Sequence, residues 1–380
     1  MSTDMTLTQA KISTRYMFLV AGIVAASLAP LMPFLKLGAG VENLGLGLLI
    51  VFLGVGALVS MPFAGSVSAS KGPKVVIICS GSLAIAMVPL LLFAVTPWLL
   101  ALGLFWFGAG LGALDVSMNI HGAQVEQKAN KRMMSGFHCL FSVGAIIGSG
   151  GAAALLLLNV APWVVAIGIF VVAASLFGLK LRGLLDSPSK KPAAWCLPKK
   201  HVWFLAILAG ISFLVEGAIL DWGSLLLMER NVASTESGGL GYMCFSMAMV
   251  LGRLWGDKLV AMFGDFWLFT LGAVAAGLGL AVFASAESLF IAMFGVFVSG
   301  LGSANIVPIL FSTAASQKIM PSELAVASVS SIAYAGVLLG PALIGLLAHQ
   351  WSLSVAFTAL AVSMVLFVAL SKRIGLGDAP

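Results

Sequence analysis

Phe107-Gly-Ala-Gly110-Leu111-Gly112-Ala113-Leu114-Asp115 and, 190 positions further on, Phe297-Val-Ser-Gly300-Leu301-Gly302-Ser303-Ala304-Asn305 share one pattern: an apolar run stepped with small residues that ends on a polar side chain. A second pair, Gly144-Ala-Ile-Ile-Gly148 and Gly336-Val-Leu-Leu-Gly340, recurs at an offset of 192. Small residues let membrane helices approach closely wherever they occur, so the glycines alone carry little. Two matches at nearly one offset, about half the chain length, indicate a parallel internal repeat.

Outward from these stretches the chain falls into apolar blocks of roughly 20 residues or more, the length needed to cross a hydrocarbon core. Between charged or Pro/Gly/Asn punctuation the spans read 15–35, 44–69, 74–95, 97–122, 134–158 and 161–181, then 202–226, 238–261, 266–285, 288–314, 324–348 and 352–371. The first block is too long for the apolar part of a signal peptide, and another span follows at once, so it reads as helix 1. The long polar connection, Gly183 to Lys200 with Pro188, Pro192 and Pro198, separates six spans from six. The expected fold is therefore an all-α membrane protein of twelve transmembrane helices: a six-helix bundle over 1–182, a cytoplasmic linker over 183–200 and a second six-helix bundle over 201–380.

Composition agrees: 61% of the 380 residues are hydrophobic and 9% charged, with a mean hydropathy of +1.11, which excludes a soluble globular class. The net charge of +6 is no nucleic-acid signal, because the basic residues sit in short clusters between apolar blocks. With the N-terminus inside, seventeen of the twenty basic residues fall in cytoplasmic segments, Lys36 and Arg230 fall outside, and Arg253 lies at the inner end of helix 8. By the positive-inside rule both termini are expected in the cytoplasm and the protein in a bacterial inner membrane. Cys79, Cys139, Cys196 and Cys244 are widely spaced, so neither a disulfide nor a metal site is expected, and no cofactor is implied. No H-E-x-x-H or G-x-S-x-G pattern points to an enzyme.

Of the fourteen acidic residues, Asp115, Glu216 and Asp221 lie inside apolar blocks. Each costs several kcal/mol unless it faces a cavity or a partner. A carboxyl group withdrawn from water resists ionisation, which makes such groups candidate proton carriers. Asn119 follows Asp115 by one turn on the same face, Glu126 extends that face towards the cytoplasm, and Asn305 is the repeat-equivalent of Asp115 in the opening pair. The competing reading of these groups is interhelical hydrogen bonding; for Asn119 and Asn305 the two readings weigh evenly, and for Asp115 and Glu216 a working role outweighs it. Asp221, with Trp222 beside it, is either a gate or an anchored helix end. His138, next to Cys139 in helix 5, is a satisfied core histidine or a proton relay or solute donor. Trp106, Trp222, Tyr242 and Tyr334 are more often packing or interface aromatics than stacking platforms.

Twelve spans in a 6+6 repeat, a basic central linker and acids on helices 4 and 7 resemble the major facilitator superfamily. Leu114-Asp115-Val116-Ser117-Met118-Asn119 and Ser142-Val143-Gly144-Ala145-Ile146-Ile147-Gly148 are similar to segments of its fucose-permease-like branch, nearest to the YbjJ-type inner-membrane members. Glu216-Gly-Ala-Ile-Leu-Asp221-Trp222 and Gly252-Arg253-Leu-Trp-Gly256-Asp257-Lys258 resemble the helix 7 and helix 8 signatures of those members. The resemblance implies a central cavity lined by helices 1, 4, 7 and 10. It places Asp115, Asn119, Glu216, Asp221 and Asn305 around one site, proton coupling on Asp115, and His138 at a sugar-binding position. Together with the reading of the residues, the expected roles are proton coupling for Asp115 and Glu216, solute binding for Asn119, His138, Asp221, Trp222 and Asn305, and gating or structural roles for Glu126, Arg253 and Asp257. Two departures stand out. Helix 1, with Pro30 and Pro33, has no acid, and the loop 2–3 motif survives as Gly65-x-x-x-Ala69-Ser70-Lys71-Gly72-Pro73-Lys74 without its Asp-Arg pair.

The expected activity is proton-coupled alternating access for a small sugar-like solute, by a monomer whose partners are the solute, the proton and the bilayer. Proton-driven efflux of a metabolite or drug is the runner-up, and a ligand sensor with a transporter fold is the alternative of another class.

Overall fold

The computed structural model describes residues 2–186, 188, 197–232 and 240–371; Cys196 and half of the linker over 183–200 lie outside them. Among the described residues, ten helices are long and apolar enough to cross a membrane. One of them, Leu240–Ser285, is two helices joined at Gly264, whose backbone is non-helical (φ 80°, ψ 162°), and a shorter apolar helix, Leu353–Ala369, follows at the end. The twelve spans are thus helices 1 (Thr6–Ala39), 2 (Gly45–Lys71), 3 (Pro73–Leu91), 4 (Pro97–Ala129), 5 (Met134–Leu157) and 6 (Pro162–Gly183), then 7 (Lys200–Glu229), 8 (240–263), 9 (265–285), 10 (Leu289–Ser316), 11 (Ser322–Gln350) and 12 (Leu353–Ser371). Proline opens helices 3, 4 and 6 at their first turn, where its missing N–H costs no helical hydrogen bond. Thr96 and Ser288 cap helices 4 and 10 through their hydroxyls.

The repeat is visible in the packing, at an offset of 192 throughout. Gly72 joins helices 2 and 3 at φ 84°, ψ 152°, and Gly264 joins helices 8 and 9 in nearly the same conformation. This region of backbone space is essentially reserved for glycine. A Cβ on Gly108 would overlap the Leu53 carbonyl, and one on Gly300 the Phe245 carbonyl; Gly110 packs on Ala84 as Gly302 packs on Ala276. Each of these four residue pairs is related by 192.

The register of helix 4 on helix 10 is therefore two residues away from the 190 read above. The cause is the self-similar Gly-x-Gly-x-Gly run of helix 4, which matches helix 10 equally well two positions out of register; Phe105, like Phe107, supplies a phenylalanine to align with Phe297. In the structural register Asn305 corresponds to Ala113, and Asp115 corresponds to Val307.

The chain separates into two compact units. One comprises 1–131, 140–198 and 315–331; the other comprises 132–139, 199–314 and 332–380. Each unit includes a short segment from the opposite half of the sequence: the start of helix 5 belongs to the second unit, and the start of helix 11 to the first.

Replacing Gly72 or Gly264 by alanine is expected to lower stability in detergent by about 1–3 kcal/mol each. Gly168→Ala, in helix 6 where a Cβ meets only open space, should be neutral. Thermal unfolding followed by size-exclusion chromatography compares the three.

Candidate functional site

In the first unit, Asp115 is half-buried in helix 4. The Asn119 amide, one turn on, donates to the Asp115 backbone carbonyl (2.9 Å) and to its carboxylate Oδ1 (3.2 Å). Ser330, from the helix 11 segment that belongs to this unit, adjoins the same carboxyl, with its buried hydroxyl off hydrogen-bonding geometry to any acceptor among the described residues. A hydroxyl in that position can donate to an ionised carboxylate or accept from a protonated one. All the neighbours so placed on Asp115 are neutral.

Two turns further along helix 4, His121 is fully buried and both its ring nitrogens are engaged. The Leu185 backbone N–H donates to Nε2 (2.8 Å), which leaves the ring proton on Nδ1 to be donated to Thr14 Oγ1 (3.0 Å). Thr14 in turn donates to the Ala10 carbonyl (2.8 Å). Ser13 donates to the Lys180 carbonyl at the end of helix 6 (2.7 Å). Helices 1, 4 and 6 are thereby tied to the first residues of the linker. His121 escaped the sequence reading because nothing near it in sequence signals its partners, 64 and 107 positions away.

The second unit holds a charged cluster. Arg253 is buried midway along helix 8, not at its inner end as the apolar blocks suggested, because the helix continues a further ten residues to 263. Its Nε donates to the Ala304 carbonyl (3.2 Å). That carbonyl is orphaned by sequence: its helical donor would be the N–H of residue 308, which is a proline. The helix is interrupted at this point, between Ser303 and Ile306. Pro308 was the missed signal, since a proline inside a membrane helix leaves the carbonyl four residues earlier to be met by another group. Arg253 also lies within electrostatic reach of Glu216 and Tyr242 and of His138. Glu216, half-buried in helix 7, therefore has a fixed cation near it, and among the described residues none is so placed on Asp115.

His138 stacks on Phe311 with ring centroids 5.8 Å apart. Asn305 is buried, and its amide donates to the Gly252 carbonyl (3.0 Å); it fills the space that a side chain at Gly256 would need. It joins helix 10 to helix 8, while its Oδ1 meets no donor among the described residues. Asp221 is exposed near the end of helix 7. Trp222 lays its ring against Gly345 of helix 11, and its indole N–H meets no acceptor among the described residues.

Asp257 accepts the Ser135 N–H (3.0 Å) and the Gly136 N–H (2.9 Å), so its carboxylate caps the first turn of helix 5, where unpaired amides and the helix dipole favour negative charge. Arg132 pairs with Asp265 just ahead of that turn. Glu126, near the end of helix 4, is buried in the first unit. Buried acids that the sequence reading passed over are Asp265 and Glu323; both lie at helix starts, where apolar blocks give no sign of burial. Among the described residues no cluster of His, Cys, Asp and Glu could hold a metal ion.

Comparison with known proteins places this arrangement. A sequence model of the Major Facilitator Superfamily matches residues 16–323, and the chain belongs to that family of membrane transporters. It is 40% identical over 366 residues to an uncharacterized MFS-type transporter of Yersinia pestis, covering 96% of this chain and 95% of that one. It is 30% identical over 347 residues to the membrane protein MosC of Rhizobium meliloti, covering 88% and 82%. Among solved structures it resembles the E. coli fucose:proton symporter FucP, with a TM-score of 0.79 at 14% identity over 96% of this chain and 98% of that chain.

The role of Arg253 towards Ala304 is separable. Arg253→Met should cost about 1–3 kcal/mol by leaving a carbonyl unmet. Adding Pro308→Ala, which restores the helical donor, should recover part of that loss in unfolding measurements. An equal loss in both variants would place the contribution of Arg253 with Glu216 instead.

Proposed function

We propose that the protein moves a small polar organic solute of sugar-like size across a bacterial inner membrane by proton-coupled alternating access, with both termini in the cytoplasm. The observation that carries this reading is the setting of Asp115. It is an ionisable group within a membrane helix, half-buried, with a neutral amide on one side and a neutral hydroxyl on the other. A carboxyl so placed can exist in either protonation state without breaking an ion pair, which a proton carrier requires. The resemblance to the E. coli fucose:proton symporter supports the same reading.

In this mechanism the halves 1–182 and 201–380 rock about a midplane site, and the linker over 183–200 joins them. Protonation of Asp115 removes a charge that hydrocarbon penalises, and so biases which face is open. Asn119 holds the carboxylate when it is ionised. In the second half the Glu216, Tyr242 and Arg253 group and His138 offer donors and acceptors for solute hydroxyls, while Asp221 and Trp222 stand towards the outer end of helix 7. Asp257 caps helix 5 and must release or retain that cap as the inner end opens.

Solute flux in proteoliposomes with an imposed pH gradient, measured over a panel of sugars, sugar acids and small amphiphiles, tests the proposal. The wild type should show gradient-driven accumulation of at least one class, and Asp115→Asn should lose accumulation while retaining exchange. Gradient-driven flux that persists in Asp115→Asn removes the coupling role from that residue; a panel in which nothing moves favours a sensor.

Glu216→Gln should behave differently. With Arg253 beside it, its loss is expected to weaken solute binding and raise the half-saturating concentration, while the remaining flux stays gradient-dependent. The pair of concentration series, at two imposed gradients, separates the two carboxyl groups.

A further inference from the structure

The first unit carries a groove that the transport reading leaves unused. It lies between helices 2, 3 and 4, has a volume of about 390 Å³, and is walled by Phe63, Val67, Val75, Cys79, Leu83 and Trp106. Phe63, Val67, Val75 and Trp106 are exposed large apolar side chains, and Cys79 is exposed as well, so the groove opens outward from the unit. Its two serine hydroxyls are turned away: Ser60 donates to the Ala57 carbonyl (3.0 Å) and Ser80 to the Val76 carbonyl (2.6 Å), each on its own helix. The wall therefore presents hydrocarbon, a thiol and the Trp106 ring.

The mouth of the groove is different. Val67 stands one turn before Lys71, the last residue of helix 2, and Val75 directly follows Lys74 in the first turn of helix 3. Lys71 is exposed and Lys74 half-buried, and only Gly72 and Pro73 separate them at the joint between the two helices. From Val75 to Leu83 the groove runs about 12 Å along helix 3, close to the roughly 15 Å depth of one leaflet's hydrocarbon.

We propose that this groove is a binding site for an anionic phospholipid of the leaflet on the Lys71 side, one acyl chain lying along Cys79 and Leu83 towards Trp106 and the phosphate between Lys71 and Lys74. A hydrocarbon trough alone would take any lipid chain. Two ammonium groups at its rim select a headgroup with net negative charge, each adding about fivefold to the preference at low salt.

The test uses the full-length protein in nanodiscs and the fluorescence of Trp106, taken as the difference between wild type and Trp106→Phe. Brominated-chain phosphatidylglycerol should quench that signal at a mole fraction on the order of tenfold lower than brominated-chain phosphatidylcholine does. The Lys71→Gln/Lys74→Gln variant should bring the two lipids together. Cys79→Trp, read by native mass spectrometry, should release the retained phosphatidylglycerol while the protein still elutes as a folded species. Equal quenching by both lipids in the wild type, or a preference unchanged without the lysines, overturns the proposal. So does a protein dimer that Cys79→Trp dissociates, which would make the groove a face for a second copy.

Discussion

A polar group inside hydrocarbon has no water to turn to, so the protein must meet it or leave it paying several kcal/mol. That constraint organises the interior of both units. Serine and threonine hydroxyls donate back to carbonyls three or four residues earlier, as at Ser117, Ser212 and Thr313. The carbonyl freed by Pro308 is met by Arg253, and the first amides of helix 5 are met by Asp257. His121 meets a linker amide with one nitrogen and a threonine with the other. Arg253 and Asp257 each stand where backbone geometry leaves an unmet group.

The two repeats answer the same packing problem with different chemistry. At the structural offset of 192, Asp257 in helix 8 corresponds to Gly65 in helix 2. Asp257 receives the first turn of helix 5 through two backbone amides. Gly65 receives the first turns of helix 11 by bare contact, with a Cβ there blocked by Ala327 and approached by the Glu323 carbonyl (3.2 Å). A contact of small residues and a charge-assisted cap respond differently to water. The cap weakens when its amides can be solvated, whereas the glycine contact depends on shape alone.

The fold was legible because length and composition dominate in a membrane. Blocks of some 20 apolar residues leave few alternatives to transmembrane helices, and the twelve spans agree with the structure to within a few residues at most ends. The repeat was legible too, but its register in helix 10 was not, since Gly-x-Gly-x-Gly matches itself when slid by two. Only the backbone contacts at Leu53, Phe245, Ala84 and Ala276 fix it, and these are long-range. Asp115 with Asn119 could be read from helical spacing. The setting of Arg253 could have been found from Pro308 by counting back four residues, whereas the partners of His121 and Asp257 lie far off in sequence and carry no local signature.

The two carboxyl groups singled out from sequence are not interchangeable, and the surroundings of each decide why. Asp115 has neutral neighbours, so gaining a proton takes its surroundings from charged to neutral and lowers the cost of closing hydrocarbon around it. Glu216 sits within reach of a buried guanidinium that cannot lose its own proton. Removing Glu216 would leave the buried Arg253 guanidinium with less electrostatic compensation. The arrangement sets the two carboxyl groups apart: Asp115 stands among neutral partners, and Glu216 within electrostatic reach of a buried guanidinium.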